Sequence, residues 1–256
     1  MHDLRVTLVQ ADQVWENKEE NIRRYGELLT DVETDLIVLP EMFHTGFTMN
    51  AELLAEDFDR SPGIDFLMGL ACSKNAAVYT SLIIRENGNF RNRGVFVRPD
   101  GQVSFYDKRK SFGLGGEDKV FKAGAESVII DYNGWKINLQ ICYDLRFPEL
   151  VRNGVGTDGK PFHDLILYVA NWPQRRSSHW KTLIMARAIE NQSYVVAVNR
   201  VGTDGNELFY SGDSCLADAL GTVHFLQEFK EEVKTFQLNK IELDQTRAAL
   251  PFLKDA

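Results

Sequence analysis

Apolar and polar residues alternate through residues 4–10, LRVTLVQ, the period of a half-buried strand. Residues 17–32 change to helical spacing, with Ile22, Tyr25, Leu28 and Leu29 on one side and charge elsewhere, an amphipathic helix. Leu36, Ile37, Val38 and Leu39 form a wholly apolar run stopped by Pro40, which suits a strand buried on both faces. The pattern then predicts a helix at 63–76, a buried strand at 77–84, and two strands within 90–108 about the turn Pro99-Asp100-Gly101. A polar, glycine-bearing loop, 111–125, precedes a strand at 127–132. Asn133-Gly134 turns that strand into another at 135–142. A short helix that Pro148 starts, a strand at 165–170, a helix at 179–192 and a strand at 194–199 follow. Strands at 210–217, 222–226 and 232–239 lead to a terminal helix from Ile241.

Strands outnumber helices and the two alternate along the whole length, with no linker or low-complexity stretch between them. This predicts layered α/β architecture, helices covering sheets, in a single domain over residues 1–256. Composition is ordinary for a globular protein, 44% hydrophobic and 26% charged. The net charge of −8 argues against nucleic-acid binding, which needs a basic footprint. No apolar run approaches the roughly 20 residues that span a bilayer, and MHDLRVTLVQ does not read as a signal peptide. The cysteines, Cys72, Cys142 and Cys215, are odd in number and widely spaced, with no C-x-x-C pair. They form neither a disulfide framework nor a zinc motif, and they fit a reducing cytoplasm. The sequon Asn191-Gln192-Ser193 is accordingly read as incidental.

Candidate chemistry starts at Cys142. Strand parity sets Trp135, Ile137, Leu139 and Ile141 on one face and Lys136, Asn138, Gln140 and Cys142 on the other. Cys142 thus lies in the polar phase, where the strand turns into the charged segment Tyr143-Asp144-Leu145-Arg146. A thiol at a strand-to-helix turn lies near backbone N–H groups able to hold a developing oxyanion. The opposing reading is a buried, inert thiol, which is preferred for Cys72, inside a helix, and for Cys215. A nucleophilic cysteine needs a base. None of His2, His44, His163, His179 and His224 has a recognisable catalytic setting. Glu41, held at the end of a buried strand by Pro40, is the natural carboxylate, with a capping or salt-bridged Glu as the alternative. Lys108 closes another strand, where an ammonium would stabilise thiolate and oxyanion. Lys110 shares its face, and spacing does not choose between them.

Three motifs occur in order: Pro40-Glu41-Met42-Phe43 with Thr45-Gly46-Phe47, Tyr106-Asp107-Lys108, and Ile141-Cys142-Tyr143-Asp144-Leu145-Arg146-Phe147-Pro148-Glu149. Together with Asn171-Trp172-Pro173 and residues 186–192, they resemble the nitrilase superfamily of carbon–nitrogen hydrolases over residues 4–236. Within it the chain looks most like bacterial omega-amidases. The resemblance implies a four-layer α-β-β-α sandwich and association into a homodimer or higher homo-oligomer through a helical layer. It implies Glu41 as general base, Lys108 as oxyanion stabiliser and Cys142 as nucleophile, with the Tyr143 N–H completing the oxyanion hole. A second glutamate is expected between Lys and Cys; Glu117 is the candidate, with Asp118 and Glu126 as alternatives. Arg146, Trp172 and Phe47 are expected to meet the substrate, Arg146 through a substrate carboxylate or else paired with Asp144 or Glu149.

One departure stands out. The branch usually reads Asp-Lys-Arg-His-Leu-Phe, and here Lys110 and Ser111 replace the His-Leu pair, putting the pocket wall there in question. The resemblance thus implies a cytoplasmic amidase acting on a small amide and water, with neither metal nor organic cofactor. Its substrate would be a short ω-amido 2-oxo acid such as 2-oxoglutaramate or 2-oxosuccinamate. A nitrilase, an N-carbamoyl amine hydrolase or a deaminated-glutathione-type amidase would keep the chemistry and change the substrate. A silent binding protein on the same scaffold would be expected to have lost Glu41, Lys108 or Cys142.

Overall fold

The alternating segment Leu4–Gln10 forms β1, which pairs in parallel with β2 (Leu36–Val38); β2 pairs in parallel with β3 (Ala77–Glu86). These coordinates are a computed structural model that describes residues 3–255, so His2 lies outside the described residues. Two antiparallel strands, β4 (Asn89–Val97) and β5 (Val103–Asp107), extend the sheet on one side. β12 (Glu232–Leu238) closes it against β1 on the other. A second sheet repeats the plan. Its parallel centre is β7 (Trp135–Ile141), β8 (Leu165–Ala170) and β9 (Tyr194–Asn199). It is flanked by β6 (Ile129–Tyr132) on one edge and by β10 (Cys215–Ala217) and β11 (Val223–Phe225) on the other.

The helices cover the outer faces. Asn17 accepts the Glu20 N–H to start α1 (Lys18–Leu28), and Glu19 and Glu20 complement the positive end of its dipole. Ser61 caps α2 (Pro62–Lys74) through the Ile64 N–H, and Asn75 ends it in the left-handed conformation at φ 48°. Leu29, Leu67 and Ala71 from this layer pack on Val9, Ile37 and Val78 of the first sheet. Trp180, Ile184 and Ala188 of α3 (Ser177–Asn191) cover the second sheet, and α4 (Lys240–Ala249) adds Leu243. Between the sheets, Leu4, Val6, Tyr79 and Tyr106 from one share a buried cluster with Ile137, Leu139, Leu167 and Val196 from the other. Each such aliphatic side chain contributes roughly 1.5–3 kcal/mol of burial energy, so this layer holds the halves together. The result is the α-β-β-α sandwich.

Most expected elements are present within a few residues of their expected ends. Three differ. The strand expected at 210–217 breaks at Gly212 (φ 81°) and Asp213 (φ 60°), so Phe209–Ser211 pairs with Val201–Thr203 while β10 joins the second sheet. The helix expected at Pro148 is a pair of 3-10 turns, Cys142–Arg146 and Pro148–Leu150, because Asp144 binds the Ile141 N–H and tightens the chain at once. Short helices at Ala51–Leu54 and Glu117–Val120 carry too few residues to show a period. The Asn191 sequon is fully buried, in keeping with an incidental reading.

Candidate active site

The parallel strands β2, β7 and β8 all end on the same side, where open α/β sheets gather their ligands. Glu41 follows β2, Cys142 follows β7, Asn171 follows β8, and Lys108 follows β5, which runs in the same direction as β3. The apolar phase of β7 faces the layer between the sheets: Trp135 pairs with Tyr132, whose hydroxyl donates to the Asp35 carbonyl of the opposite sheet at 2.9 Å. Cys142 has the opposite parity, but the strand ends there in a left-handed turn, and a residue from the second sheet meets Glu41 and Lys108 from the first.

Lys108 is almost wholly buried, at 3% exposure, yet it is enclosed by charge. Its Nζ donates to Glu41 Oε1 at 2.9 Å and to both oxygens of Glu117 at 2.9 Å. Burial works against the ammonium, but Glu117, Glu41 and Cys142 outweigh it and hold Lys108 above the ordinary lysine range. Glu41 also accepts from Asn92 Nδ2 at 2.7 Å and from the Asn171 N–H at 2.9 Å. Every one of these partners is a donor, as an ionised carboxylate requires. Glu117 receives the Phe112 N–H at 2.6 Å and Asn92 Nδ2 at 3.1 Å. It reaches the site because Gly116, at φ 78°, turns the loop sharply just before it. Asp118 and Glu126, the alternatives to Glu117, are exposed.

Cys142 has φ 45°, a left-handed backbone that costs a side-chain-bearing residue of order 1–3 kcal/mol. Met42, immediately after Glu41, is also left-handed at φ 46°. Such turns aim side chains out of the strand ends, as a nucleophile elbow does. The thiol lies 3.9 Å from the Asn171 carbonyl. Its pKa is raised well above the usual thiol value by burial and by Glu41, which repels the thiolate and accepts a hydrogen bond from the thiol; Lys108 opposes this. Asp144 pins the turn, accepting the Tyr106 hydroxyl at 2.9 Å, the Ile141 N–H at 3.0 Å and the Lys110 N–H at 2.9 Å. Burial pushes its carboxyl up to about 6.

Above these residues opens a cavity of about 530 Å³, of a size that suits a small molecule. Phe47, Tyr143, Arg146 and Trp172 all line it. Phe47 lies under the Lys108 ammonium, 5.3 Å from ring centroid to Nζ. Arg146 pairs with neither Asp144 nor Glu149. Its guanidinium lies over Trp172 at 4.6 Å, with both terminal nitrogens 3.3 Å from His179 Nδ1. Lys110 turns away onto Phe147 and Glu149, and neither it nor Ser111 lines the cavity, so the unusual pair leaves the pocket wall untouched. Asn92 was not found from sequence. A polar residue inside a strand that ends apolar, Phe90 to Val97, was the available signal, and alone it names no partner. Cys72 is exposed on the outer side of α2, so the reading of it as a buried thiol is corrected. Cys215 is buried in β10.

Two facing sheets with a thiol, two carboxylates and an ammonium at their shared end define a hydrolase that works through a cysteine on carbon–nitrogen bonds. The chain belongs to the carbon–nitrogen hydrolase family, whose model matches residues 5–248. It is 43% identical over 224 residues to the omega-amidase YafV of Yersinia enterocolitica, covering 87% of this chain and 84% of that one. It is 30% identical to the 2-oxoglutaramate amidase of Bacillus subtilis, with 98% and 96% covered. Among solved structures, a CN-hydrolase superfamily protein from Xanthomonas campestris with an arsenic adduct in its active site superposes with a TM-score of 0.96. That protein is 41% identical, with 100% of this chain and 98% of that chain covered.

Proposed function

We propose that the protein is an omega-amidase, hydrolysing the terminal amide of a short ω-amido 2-oxo acid, 2-oxoglutaramate or 2-oxosuccinamate, to the dicarboxylate and ammonia. The observation that carries the chemistry is the contact set around Lys108, which gathers Glu41 and Glu117 beside the Cys142 thiol. The choice of substrate is supported by the omega-amidase and 2-oxoglutaramate amidase relatives.

The raised thiol pKa implies that the resting site holds thiol and carboxylate rather than a preformed thiolate. Glu41 therefore takes the proton as Sγ attacks the amide carbon, a general-base step. The carbonyl oxygen becomes an oxyanion held by Lys108 and the Tyr143 N–H at the start of the 3-10 turn. Glu41 returns the proton to the amide nitrogen, the C–N bond breaks, and ammonia leaves the thioester. Water, deprotonated by Glu41, then adds to the thioester carbon; the C–S bond breaks and the thiol is regenerated. Glu117 keeps Lys108 charged and oriented throughout, and Asn92 ties the two carboxylates together.

Ammonia release from a substrate panel tests this. The expected result is turnover of 2-oxoglutaramate or 2-oxosuccinamate in preference to nitriles, N-carbamoyl amines and glutathione-like amides. Turnover of an N-carbamoyl amine with both oxo acids left intact would overturn the reading.

A further inference from the structure

Among the described residues, three arginines that line the cavity, Arg146, Arg175 and Arg176, make no ion pair, and Arg176 is the half-buried one of them with no hydrogen bond from its guanidinium. Lys108 is enclosed by Glu41 and Glu117, and Arg146 is laid on Trp172 against His179. The acidic residues at the cavity mouth are engaged as well: Glu16 by Thr48 and Asn50, Asp204 by Tyr210 and the N–H groups of Asn206 and Leu208. Arg176 lines the same cavity, half-buried, with its guanidinium 5.1 Å from the centre of the Phe112 ring. Among the described residues no carboxylate forms an ion pair with it, and its guanidinium makes no hydrogen bond.

Local folding energetics oppose this placement. Arg176 stands at the N-cap of α3, at the positive end of the helix dipole. It makes no capping hydrogen bond, and no acidic residue occupies the first turn. Helices favour the reverse, a short polar acceptor at the cap and carboxylates next to it. Burial and the neighbouring Arg175 push the guanidinium below the ordinary arginine value. The Arg176 backbone is nevertheless anchored, the carbonyl accepting Trp172 Nε1 at 2.8 Å, and the guanidinium lies against the Phe112 ring. A supported planar fork facing an electropositive cavity matches a carboxylate.

We propose that Arg176 is the residue that recognises the carboxylate of the substrate, seating the far end of a short amido acid so that its amide carbon meets Cys142. Arg146 borders this subsite and widens its positive field. The inference rests on the omega-amidase reading for the identity of the acid, and on the unpartnered guanidinium for the subsite itself.

The first measurement is the ratio of kcat/KM for 2-oxoglutaramate to that for its methyl ester, which lacks the charge. R176M is expected to lower this ratio roughly 10- to 100-fold, the worth of a charged hydrogen-bonded pair. R176K, which keeps the charge without the fork, is expected to fall between wild type and R176M. A ratio for R176M within threefold of wild type, or a larger loss in R146M, would overturn the proposal. The second measurement needs no turnover: the rate of Cys142 alkylation by iodoacetate relative to iodoacetamide, read by mass spectrometry. R176M should lower that relative rate about tenfold, and an unchanged value overturns the subsite. In the unaltered protein, glutarate should slow iodoacetamide labelling of Cys142 and butyramide should not; equal effects count against it even if R176M does not fold. If the wild type ignores 2-oxoglutaramate while R176M still loses its preference for iodoacetate, the substrate reading fails and the anion subsite stands.

Discussion

Replacing Asp144 by Asn keeps the side chain's shape and removes its charge, so the variant isolates one buried carboxylate under the nucleophile's turn. In the folded protein Asp144 is fully buried, and its pKa rises from 3.8 to about 6. A carboxyl with a raised folded-state pKa contributes stability that is fully present below its unfolded value and lost as pH rises through its folded value. The window is therefore about pH 4 to 6, and a shift of about two units corresponds to about 3 kcal/mol. The wild type should lose about 3 kcal/mol relative to D144N between pH 4 and pH 7, because all other titrations cancel in the difference. Superimposed on this is a pH-independent offset. An Asn oriented to accept from Ile141 and Tyr106 turns its NH₂ toward the Lys110 N–H, a donor-to-donor contact costing about 1–3 kcal/mol. Urea denaturation followed by tryptophan fluorescence from pH 4 to 7.5 measures both quantities. A stability difference that stays constant across that range would refute the reasoning. Because the same turn carries Cys142 and the Tyr143 N–H, kcat of D144N should also fall tenfold or more at neutral pH.

Cys142→Ala removes the proposed nucleophile, and kcat should fall by at least about 10⁴-fold while the thermal melt stays close to wild type; retained turnover would exclude the thioester route. Lys108→Met leaves Glu41 and Glu117 buried without their shared cation, so unfolding free energy should drop by about 3–5 kcal/mol in denaturant titrations. Asn92→Leu takes one amide donor from both carboxylates. It should cost about 2 kcal/mol of stability and lower kcat with KM little changed, and a pure KM effect would contradict its place behind the reacting groups. Under native conditions a thiol reagent should label exposed Cys72 and spare Cys215. Substrate should slow labelling at Cys142 while leaving Cys72 unaffected, as peptide mapping would show.

The site was legible to the extent that local order is written locally. Glu41 behind an apolar run stopped by proline, Lys108 at a strand end and Cys142 in the polar phase of a strand each announced themselves, and the order of their motifs pointed to the family. Asn92 did not, because its partners Glu41 and Glu117 are 51 and 25 residues distant and no periodicity relates them. For Arg146 the sequence offers a substrate carboxylate or its neighbours Asp144 and Glu149; the turn sets it on the cavity wall against Trp172 and His179, residues of a different strand end and helix, and away from both neighbours.

By itself, then, the amino-acid order determined which segments become strands and helices, because a period of two or of 3.6 is a property of neighbouring residues. It also determined which side chains stand at the strand ends. Only the tertiary structure decided that the ends of two separate sheets meet, so that the ammonium of Lys108 lies between Glu41 and Glu117 beside a thiol kept protonated by burial and by Glu41. It likewise left Arg176, among the described residues, without an ion pair. Charge, burial and hydrogen-bond satisfaction depend on what surrounds a group in space, and for these residues the surroundings come from distant parts of the chain.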